Sequence, residues 1–557
     1  MLAMLEPSET RARVFRRIQL GMCLAATVLA IWPHAVQLGH AGALWRDEAG
    51  GVREATLPDF GETWRMLPQA SFPALFPMLV RIWSAAGLGA SDFNLRILGF
   101  LIGLCLLGAL WLNARLMGYR LPVISLGLLA ANPAVILWGD SLRAYGCGCV
   151  FIVLTLGLIW RLVRAPCRTS LLLAAAAAIL SVQTLYQNAV LVLAACIAGC
   201  AVCARHRDWK TAAVVLGVGL AASVSLVPYV PSIIESQHWL LVDKVGFEPG
   251  RDFAIFASVL GSPPVWLLWG WLGLVAMVLG MGWKAMREKV LAPEIGREDL
   301  PLYSSLVLIA GAAGYYGFLR LAGRVAQPWY VPPVLVCAAA AMDAALATGG
   351  RLSRVGPLIL ASAAFCVLFP VALREASWRL TNIDLLAAEV ERRAEPGDYI
   401  VVYPCHFGIT FERYYKGQIP WTTVPEIADH RFHRLDLLKE KMGETSPIQP
   451  VLDRAAQTLA SGRSLWILGG LPPHPAADDI SPPDPPPAPI PNNPLGWWEG
   501  YYVDAWGRQL EHLIGAHAEH VYVLPEDPAI PIHPYEKLPL YMVTGWRAES
   551  RAPGASP

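Results

Sequence analysis

The sequence predicts a polytopic α-helical membrane protein of about eleven transmembrane helices with a C-terminal extracytoplasmic α/β domain. Of its 557 residues, 55% are hydrophobic and only 16% are charged, and the mean hydropathy is +0.44. A soluble chain of this length carries more charge. Apolar segments fill the first two thirds of the chain, and helix–turn–strand patterns follow from about residue 376.

Net charge and cysteine content argue against two classes of protein. A net charge of +1 gives no sign of a nucleic-acid partner. Eleven cysteines are present, but only Cys405 lies in the polar C-terminal region, so no disulfide framework is expected there. Cys196, Cys200 and Cys203 have the spacing of metal ligands on one helix, but their alanine-rich apolar surroundings favour a packing role.

Each predicted transmembrane helix is an apolar stretch of about 20 residues. Only "YQNA" separates the predicted spans 170–187 and 189–204. The predicted spans are 18–38, 93–113, 121–139, 146–163, 170–187, 189–204, 211–231, 256–283, 302–320, 329–347 and 355–373.

Basic residues near the helix ends predict the orientation in the membrane. Four arginines precede the first helix, and further basic clusters lie on the same side of the predicted topology. The N-terminus is therefore expected in the cytoplasm, and an odd number of spans places the C-terminal domain outside. Because no small-residue cleavage site follows the first helix, we expect it to be retained as a signal-anchor.

The first external loop and the C-terminal region are predicted to form structure outside the transmembrane spans. The first external loop, 44–92, mixes Trp, Phe, Arg and Pro, which is typical of short helices in the membrane interface. The transmembrane part is expected to cover 1–375, and 376–557 to form the α/β domain. Within that domain, the Pro-rich segment 472–494 is predicted to be a flexible or extended loop.

Two adjacent acids, Asp47 and Glu48, open the first external loop in the sequence "LWRDEAGGVRE". Such a pair is consistent with a solvated end of an interfacial helix, ion-paired to Arg46 or Arg53. It is equally consistent with catalysis, in which one carboxylate takes a proton from a hydroxyl nucleophile and the other orients a reacting group.

A cation near the membrane surface is the second candidate for chemistry. Arg143 lies in "WGDSLRAYGCG", a short turn between two predicted helices. An arginine so close to the bilayer is costly unless it is paired, and its planar fork suits a phosphate. A local structural ion pair with Asp140 is the alternative. Lys244, Arg251, Arg320 and Arg324 are the other cations on this predicted side.

The order of these motifs resembles the GT-C glycosyltransferases, in particular the protein O-mannosyltransferases and the aminoarabinose lipid A transferases of the glycosyltransferase 39-like group. Members carry an Asp-Glu pair after the first helix, which Asp47 and Glu48 match. The element "SLRAYG" keeps the family's Arg and Tyr as Arg143 and Tyr145, and "QPWYVPP" keeps Tyr330 of a late motif.

The sequence departs from the family pattern at three places. The loop stretch "SFPALFPMLVRIW" lacks the usual His, "SLRAYG" lacks an acid, and Trp329 stands where the late motif has an Arg. Arg324 or Lys244 is the candidate to supply the missing charge.

The resemblance implies transfer of a sugar from a polyprenyl-phosphate donor to a hydroxyl acceptor, with inversion, on the extracytoplasmic face of a bacterial cytoplasmic (inner) membrane. Asp47 would be the base, with Glu48 as its helper. Arg143, Tyr145 and the candidates Arg324, Lys244 and Tyr330 would bind the donor phosphate. No cofactor is required; some family members bind a divalent cation near the acids, but this sequence offers no clear ligand set.

Two other classes of function remain open. A multi-pass lipid or sugar transporter or flippase would need no transferase chemistry, although no convincing inverted repeat is visible. A scaffold whose external domain binds a partner is the third class. Convergence of Asp47, Arg143 and Arg324 in one external cavity would favour the transferase, and convergence at the centre of the bilayer would favour transport.

Overall fold

The computed structural model describes residues 9–70, 72–245, 248–261, 264–288, 294–323, 326–350, 352–470, 497–525 and 527–547. Within these ranges it contains helices α1 to α22 and strands β1 to β5. The helices before the sheet are α1 Glu9–His40, α2 Arg46–Ala55, α3 Phe60–Met66, α4 Leu75–Trp83, α5 Asp92–Leu116, α6 Val123–Leu129, α7 Pro133–Gly139, α8 Ala144–Arg164, α9 Arg168–Thr184, α10 Asn188–Arg205, α11 Trp209–Val224, α12 Val230–Ser236, α13 Pro249–Val259, α14 Val265–Arg287, α15 Leu300–Ala322, α16 Pro332–Leu346 and α17 Leu352–Ala376.

The chain has the fold of a multi-pass membrane protein. In the described residues, eight helical segments are long and apolar enough to cross a membrane. They are Arg13–His40, Asp92–Leu116, Ala144–Arg164, Asn188–Arg205, Trp209–Ser236, Val265–Arg287, Arg297–Ala322 and Arg354–Ala376. Each corresponds to one of the eleven spans predicted from the sequence.

The three remaining predicted spans differ from a continuous spanning helix. The span predicted at 121–139 is broken into α6 and α7, because Pro133 has no N–H to continue a helix and the Asn132 side chain instead caps Val135 N. The spans predicted at 170–187 and 329–347 are the helices α9 and α16, which have 17 and 15 residues. A count of eleven full-length spans is therefore not observed.

Other expectations about the helical region agree with the structure or shift by a few residues. The doubtful division between α9 and α10 is present, and the first loop holds the short helices α2, α3 and α4. The span predicted to begin at 256 begins at Val265 instead. The earlier residues belong to the separate helix α13, after which Gly261 has a left-handed φ of 96°.

The C-terminal part is an α/β unit built on one mixed sheet. Its elements are α18 Ile383–Arg393, β1 Tyr399–Val402, α19 Gly408–Tyr414, β2 Trp421–Thr423, α20 Leu435–Gly443, α21 Gln449–Ala460, β3 Leu465–Leu468, α22 Glu499–His517, β4 Ala518–Val523 and β5 Leu540–Trp546. The strand order is β2-β1-β3-β5-β4. β1 pairs in parallel with β2 and β3, whereas β5 pairs antiparallel with β3 and β4.

The sheet explains the sequence pattern that predicted it. Every residue of β1 and of β3 is buried, as expected for central strands that helices cover on both faces. The helix–turn–strand patterns at 383–402 and 450–469 correspond to α18 with β1 and to α21 with β3. The Pro-rich segment predicted at 472–494 lies outside the described residues.

Four contacts join this α/β unit to the two ends of the first loop. The Tyr414 hydroxyl accepts a hydrogen bond from Leu44 N (2.6 Å), and Arg413 Nη2 lies 2.6 Å from Asp92 Oδ1. Leu380 N donates to Ala41 O (3.0 Å), and the buried Glu536 carboxyl accepts from Arg46 N (3.2 Å). The loop that carries Asp47 is thus fixed between the membrane helices and the α/β unit.

Candidate active site

A cavity of about 510 Å³ lies between the loops of the helical part and the α/β unit. The helical part contributes residues from α2, from the turn before α8 and from the segment before α16. The α/β unit contributes loop side chains and the start of α22. The Asp, Glu, Arg and His residues that line this cavity are Arg46, Asp47, Glu54, Arg143, Arg251, His406, His433 and Glu499.

Asp47 occupies the first turn of α2, where the positive end of the helix dipole favours a carboxylate. Its Oδ1 accepts a hydrogen bond from His433 Nε2 (3.1 Å), and its Oδ2 lies 3.6 Å from Arg143 Nη2. Arg46 Nε is 3.7 Å from Oδ1. Burial raises the pKa of Asp47, but the charge of Arg143 and the hydrogen bond from His433 outweigh it and hold the pKa well below its usual range. Asp47 is therefore ionised in the resting protein.

Glu48 points away from this cavity and is 0% exposed. Arg96 donates to both of its carboxylate oxygens, at 3.2 Å and 2.9 Å, and Leu142 N donates to Oε1 at 2.9 Å. Arg96 also donates to Gly42 O and Ala43 O. Glu48 therefore ties the start of α2 to α5 and to the turn that carries Arg143. Its oxygens are engaged in this network, and it is not among the residues that line the cavity.

Arg143 is the residue before α8, and its guanidinium lies over the Phe72 ring at 4.4 Å. Arg143 Nη1 donates to Asp47 O (3.0 Å). Its Nε is buried and finds no hydrogen-bond partner among the described residues. The alternative ion pair with Asp140 is not formed, because Asp140 instead accepts from His34 Nδ1 at 2.7 Å. Arg143 thus has donor capacity inside the cavity.

Tyr145 and Tyr330 are the predicted site tyrosines, and both line the cavity. The Tyr145 ring packs edge-on against Phe72 at 5.2 Å and lies 6.4 Å from the Tyr330 ring. Trp329 joins an aromatic cluster with Trp45 (5.7 Å) and Trp138 (4.9 Å). The departure from the expected motif at this position therefore places an aromatic side chain at the cavity.

Of the two predicted auxiliary cations, only Lys244 lies among the described residues. Lys244 lies next to the end of α15, where Val245 N donates to Gly323 O (3.0 Å), and it does not line the cavity. Arg324 lies outside the described residues. Arg251, in the first turn of α13, lines the cavity and lies 3.5 Å from Glu248.

Glu54, His406 and His433 are ionisable cavity residues that were not predicted from the sequence. Glu54 lies on the same face of α2 as Asp47, seven residues later. His406 and His433 come from loops of the α/β unit. The seven-residue interval between Asp47 and Glu54 was a readable signal, because it spans two helical turns. No local signal connects either histidine to Asp47, since only the tertiary fold brings them together.

The two carboxyl groups of α2 that face the cavity have opposite electrostatic surroundings. Glu54 is 8% exposed, and its Oε1 has no hydrogen-bond partner in the described part of the chain. Burial raises the pKa of Glu54 to about 8, although the charge of Arg143 acts to lower it. At neutral pH helix α2 therefore presents one ionised acid, Asp47, and one neutral acid, Glu54, to the cavity. Burial and the charge of Arg46 also lower the pKa of His406 well below its usual range, which leaves this imidazole neutral.

No metal centre is evident in the described residues: they contain no group of three or more His, Cys, Asp or Glu side chains arranged to hold a metal ion.

Neither a protein-family model nor a curated protein matches the chain. Among solved structures, the chain is similar to ArnT from Cupriavidus metallidurans in the apo state, with 14% identity, a TM-score of 0.47, and coverage of 82% of this chain and 93% of that one. It is similar to the same protein bound to undecaprenyl phosphate, with 13% identity, a TM-score of 0.46 and the same 82% and 93% coverage. It is also similar to arabinosyltransferase EmbB from Mycobacterium smegmatis, with 15% identity, a TM-score of 0.34, and coverage of 63% of this chain and 39% of that one.

Proposed function

We propose that this protein is a membrane glycosyltransferase that moves a sugar from a polyprenyl-phosphate donor to a hydroxyl acceptor on the extracytoplasmic face. The observation that carries the proposal is the pairing of Asp47 with Arg143 in one cavity. A carboxylate able to take a proton lies 3.6 Å from a guanidinium whose buried Nε has no hydrogen-bond partner among the described residues. These are the two groups that transfer from a phosphate leaving group needs.

The position of the cavity supports a lipid-linked donor. It lies at the ends of membrane helices, beside the start of α8, and is closed by loops of the α/β unit. A donor whose tail stays in the bilayer reaches such a site with its phosphate at the level of the helix ends. A transporter, by contrast, usually gathers its charged binding residues near the midplane of the membrane.

In the proposed reaction, Asp47 takes the proton of the acceptor hydroxyl as that oxygen attacks the anomeric carbon of the sugar. The bond between this carbon and the phosphate oxygen breaks, and its electron pair stays on the phosphate. Attack opposite to the leaving group inverts the anomeric configuration. The products are the glycosylated acceptor, polyprenyl phosphate and a proton held by Asp47.

Arg143 would stabilise the growing negative charge on the leaving phosphate through its Nε and Nη groups. Arg143 would thus act on both the phosphate and Asp47, and the two effects are coupled. When its charge is shared with a phosphate, it holds Asp47 less strongly in the ionised form, so the pKa of Asp47 rises towards a value that suits a base. Donor binding would thereby activate Asp47, and His433 would keep its carboxylate oriented.

The purified protein in nanodiscs, incubated with a panel of undecaprenyl-phosphate sugars and a bacterial membrane extract as the source of hydroxyl acceptors, provides the test. We expect one or a few members of the panel to lose their sugar, with release of undecaprenyl phosphate, and we expect the Asp47→Asn variant to leave the same donors intact. If no donor is consumed or bound by the wild-type protein, the proposed function is wrong.

A further inference from the structure

The face of α2 that lines the cavity has an unusual composition. Asp47, Gly50, Gly51 and Glu54 all line it, at spacings that bring them to one side of the helix. With a rise of about 1.5 Å per residue, the two acids are separated by about 10 Å along the helix axis. Between the two acids, the residues of α2 that line the cavity are Gly50 and Gly51, which have no side chains.

Neither glycine is required by backbone conformation or by packing. Neither Gly50 nor Gly51 is among the glycines with positive φ. A Cβ atom at Gly50 would meet Ile409 Cγ2 at 3.9 Å, and one at Gly51 would meet Arg143 Nη1 at 3.7 Å, both ordinary contact distances. Gly99 shows the opposite situation, since a Cβ there would lie 1.9 Å from Asp140 O.

Each glycine in a helix costs about 1 kcal/mol relative to alanine. The described structure requires neither glycine. The pair therefore leaves free volume in the cavity, along the face of α2 that lines it. Exposed helix backbone without side chains lets a ligand approach more closely than any other residue type allows.

Glu54 borders this free volume and has hydrogen-bonding capacity to spare. Its carboxyl is more than nine-tenths buried, with an oxygen that has no partner in the described residues. A buried polar atom left without a partner costs about 1–3 kcal/mol, which a ligand that bonds it would recover. A neutral carboxyl both donates and accepts, and a sugar hydroxyl offers the matching acceptor and donor.

We propose that Gly50, Gly51 and Glu54 form the subsite for the sugar of the donor, with the ring over the two glycines and one of its hydroxyls bonded to Glu54. This inference rests on the proposed function and adds a specificity-determining residue to it. Asp47 and Arg143 would act on the anomeric carbon and the phosphate, whereas Glu54 would select the sugar by the position of a hydroxyl two helical turns away.

Two probes separate the sugar from the lipid phosphate. They are undecaprenyl phosphate and undecaprenyl phosphate carrying mannose, glucose or arabinose, whichever the wild-type protein binds best. The variants are Glu54→Ala, Glu54→Gln and Gly50→Ala. The matched control is Gly108→Ala, in a helix glycine of α5 that has open space around it and lies outside the cavity lining.

We expect Glu54→Ala and Gly50→Ala to weaken binding of the glycosylated probe about tenfold, because one hydrogen bond or the close approach of the ring is lost. Binding of undecaprenyl phosphate should stay within about twofold of the wild type in every variant. Glu54→Gln keeps a donor and an acceptor and should bind the glycosylated probe better than Glu54→Ala does. Gly108→Ala should bind both probes like the wild type.

The outcomes distinguish this inference from the proposed function. If both probes lose affinity equally, or if neither does, Glu54 and the glycines do not contact the sugar and the inference is wrong. A Glu54→Gln variant that binds no better than Glu54→Ala would likewise overturn the hydrogen-bonding role. If the wild-type protein binds neither probe, the donor class of the proposed function fails, and the sugar subsite fails with it.

Discussion

His433 Nε2 lies 3.1 Å from Asp47 Oδ1, although 386 residues separate the two in sequence. This hydrogen bond connects the α/β unit directly to the acid that opens the first loop. His406 and Tyr535 of the same unit line the cavity as well. The α/β unit therefore completes the candidate active site and is more than an appendage to the membrane helices.

Replacing His433 by alanine should change the pH dependence of sugar transfer. The hydrogen bond from His433 is one of the interactions that hold the pKa of Asp47 low. Its loss raises that pKa, so the acidic limb of the rate profile should move to higher pH. We expect kcat at neutral pH to fall about tenfold, because the carboxylate also loses the contact that keeps it oriented, and we expect the KM for the donor to change little. A pH profile of donor turnover measures both.

Two further variants make the His433 experiment specific. His433→Gln retains an N–H donor and should restore part of the wild-type profile. His520→Ala, at an exposed position of β4, should leave the profile unchanged. A His433→Ala profile identical to that of the wild type would mean that the hydrogen bond does not influence the titration of Asp47.

Asp47→Asn should abolish most of the turnover without loss of the fold. The amide matches the carboxylate in size and its oxygen can still accept the hydrogen bond from His433, but it cannot take the proton of an acceptor. Loss of a general base costs about 10²–10⁴ in rate. Single-turnover release of undecaprenyl phosphate is the measurement, and near-normal turnover by a well-folded Asp47→Asn protein would remove the base assignment.

Replacing Glu48, in contrast, should mainly lower the free energy of unfolding. Removing one member of a buried ion pair leaves the other charge uncompensated, which costs about 3–5 kcal/mol. Glu48→Ala leaves Arg96 in this state, since both are almost completely buried. The comparison is Glu389→Ala, which breaks the more exposed pairs with Arg392 and Arg393 and should cost at most about 1 kcal/mol. Equal losses in detergent unfolding experiments would contradict the structural role of Glu48.

The sequence predicted the location of the site better than the roles within it. The motif order placed Asp47 and Arg143 on one side of the membrane, and the structure brings them to 3.6 Å. The motif order kept both acids in the site, with Asp47 as the base and Glu48 as its helper, because adjacent residues on a helix point about 100° apart and only the packing around α2 decides which one faces the cavity. Arg96, which fixes Glu48, reads in the sequence as an ordinary residue at a helix end.

The limits of sequence-based prediction of the fold have a similar physical origin. Hydropathy finds apolar segments but does not detect a break such as Asn132–Pro133, where cap and proline chemistry end one helix and begin another inside an apolar run. The helix–strand periodicity of the α/β unit is local, so an α/β domain was predicted from about residue 376 onwards. The contact of His433 with Asp47 depends on how two parts of the chain pack, which no local pattern encodes.

Arg143→Ala should weaken donor binding by about 2 kcal/mol or more, or roughly 30-fold, through loss of charge-assisted hydrogen bonds to the phosphate. Arg143→Lys keeps the charge but not the planar fork, and the flexible ammonium loses the contact of the guanidinium with Phe72. We therefore expect Lys to recover only part of the affinity. Isothermal titration with undecaprenyl phosphate tests this, and unchanged affinity in Arg143→Ala would make Arg143 a structural residue.

The raised pKa of Glu54 predicts how stability changes with pH. Burial moves the pKa from the ordinary 4.5 to about 8 in the folded protein, so between these values the folded state binds the proton more tightly than the unfolded state. The contribution of Glu54 to stability is therefore complete below about pH 4.5 and is lost as the pH rises to about 8, by up to about 1.4 kcal/mol per pH unit. Glu54→Gln cannot ionise and lacks this dependence.

The measurement is the unfolding midpoint of the wild type and of Glu54→Gln in detergent at several pH values from 5 to 9. The wild type should lose stability relative to Glu54→Gln as the pH rises, and the difference should level off above about pH 8. Burial also raises the pKa of Glu536 to about 8, but Glu536 is present in both proteins, so its contribution cancels in the comparison. A stability difference that does not vary with pH would mean that Glu54 is already ionised in the folded protein at neutral pH, and that it cannot donate a hydrogen bond to a sugar there.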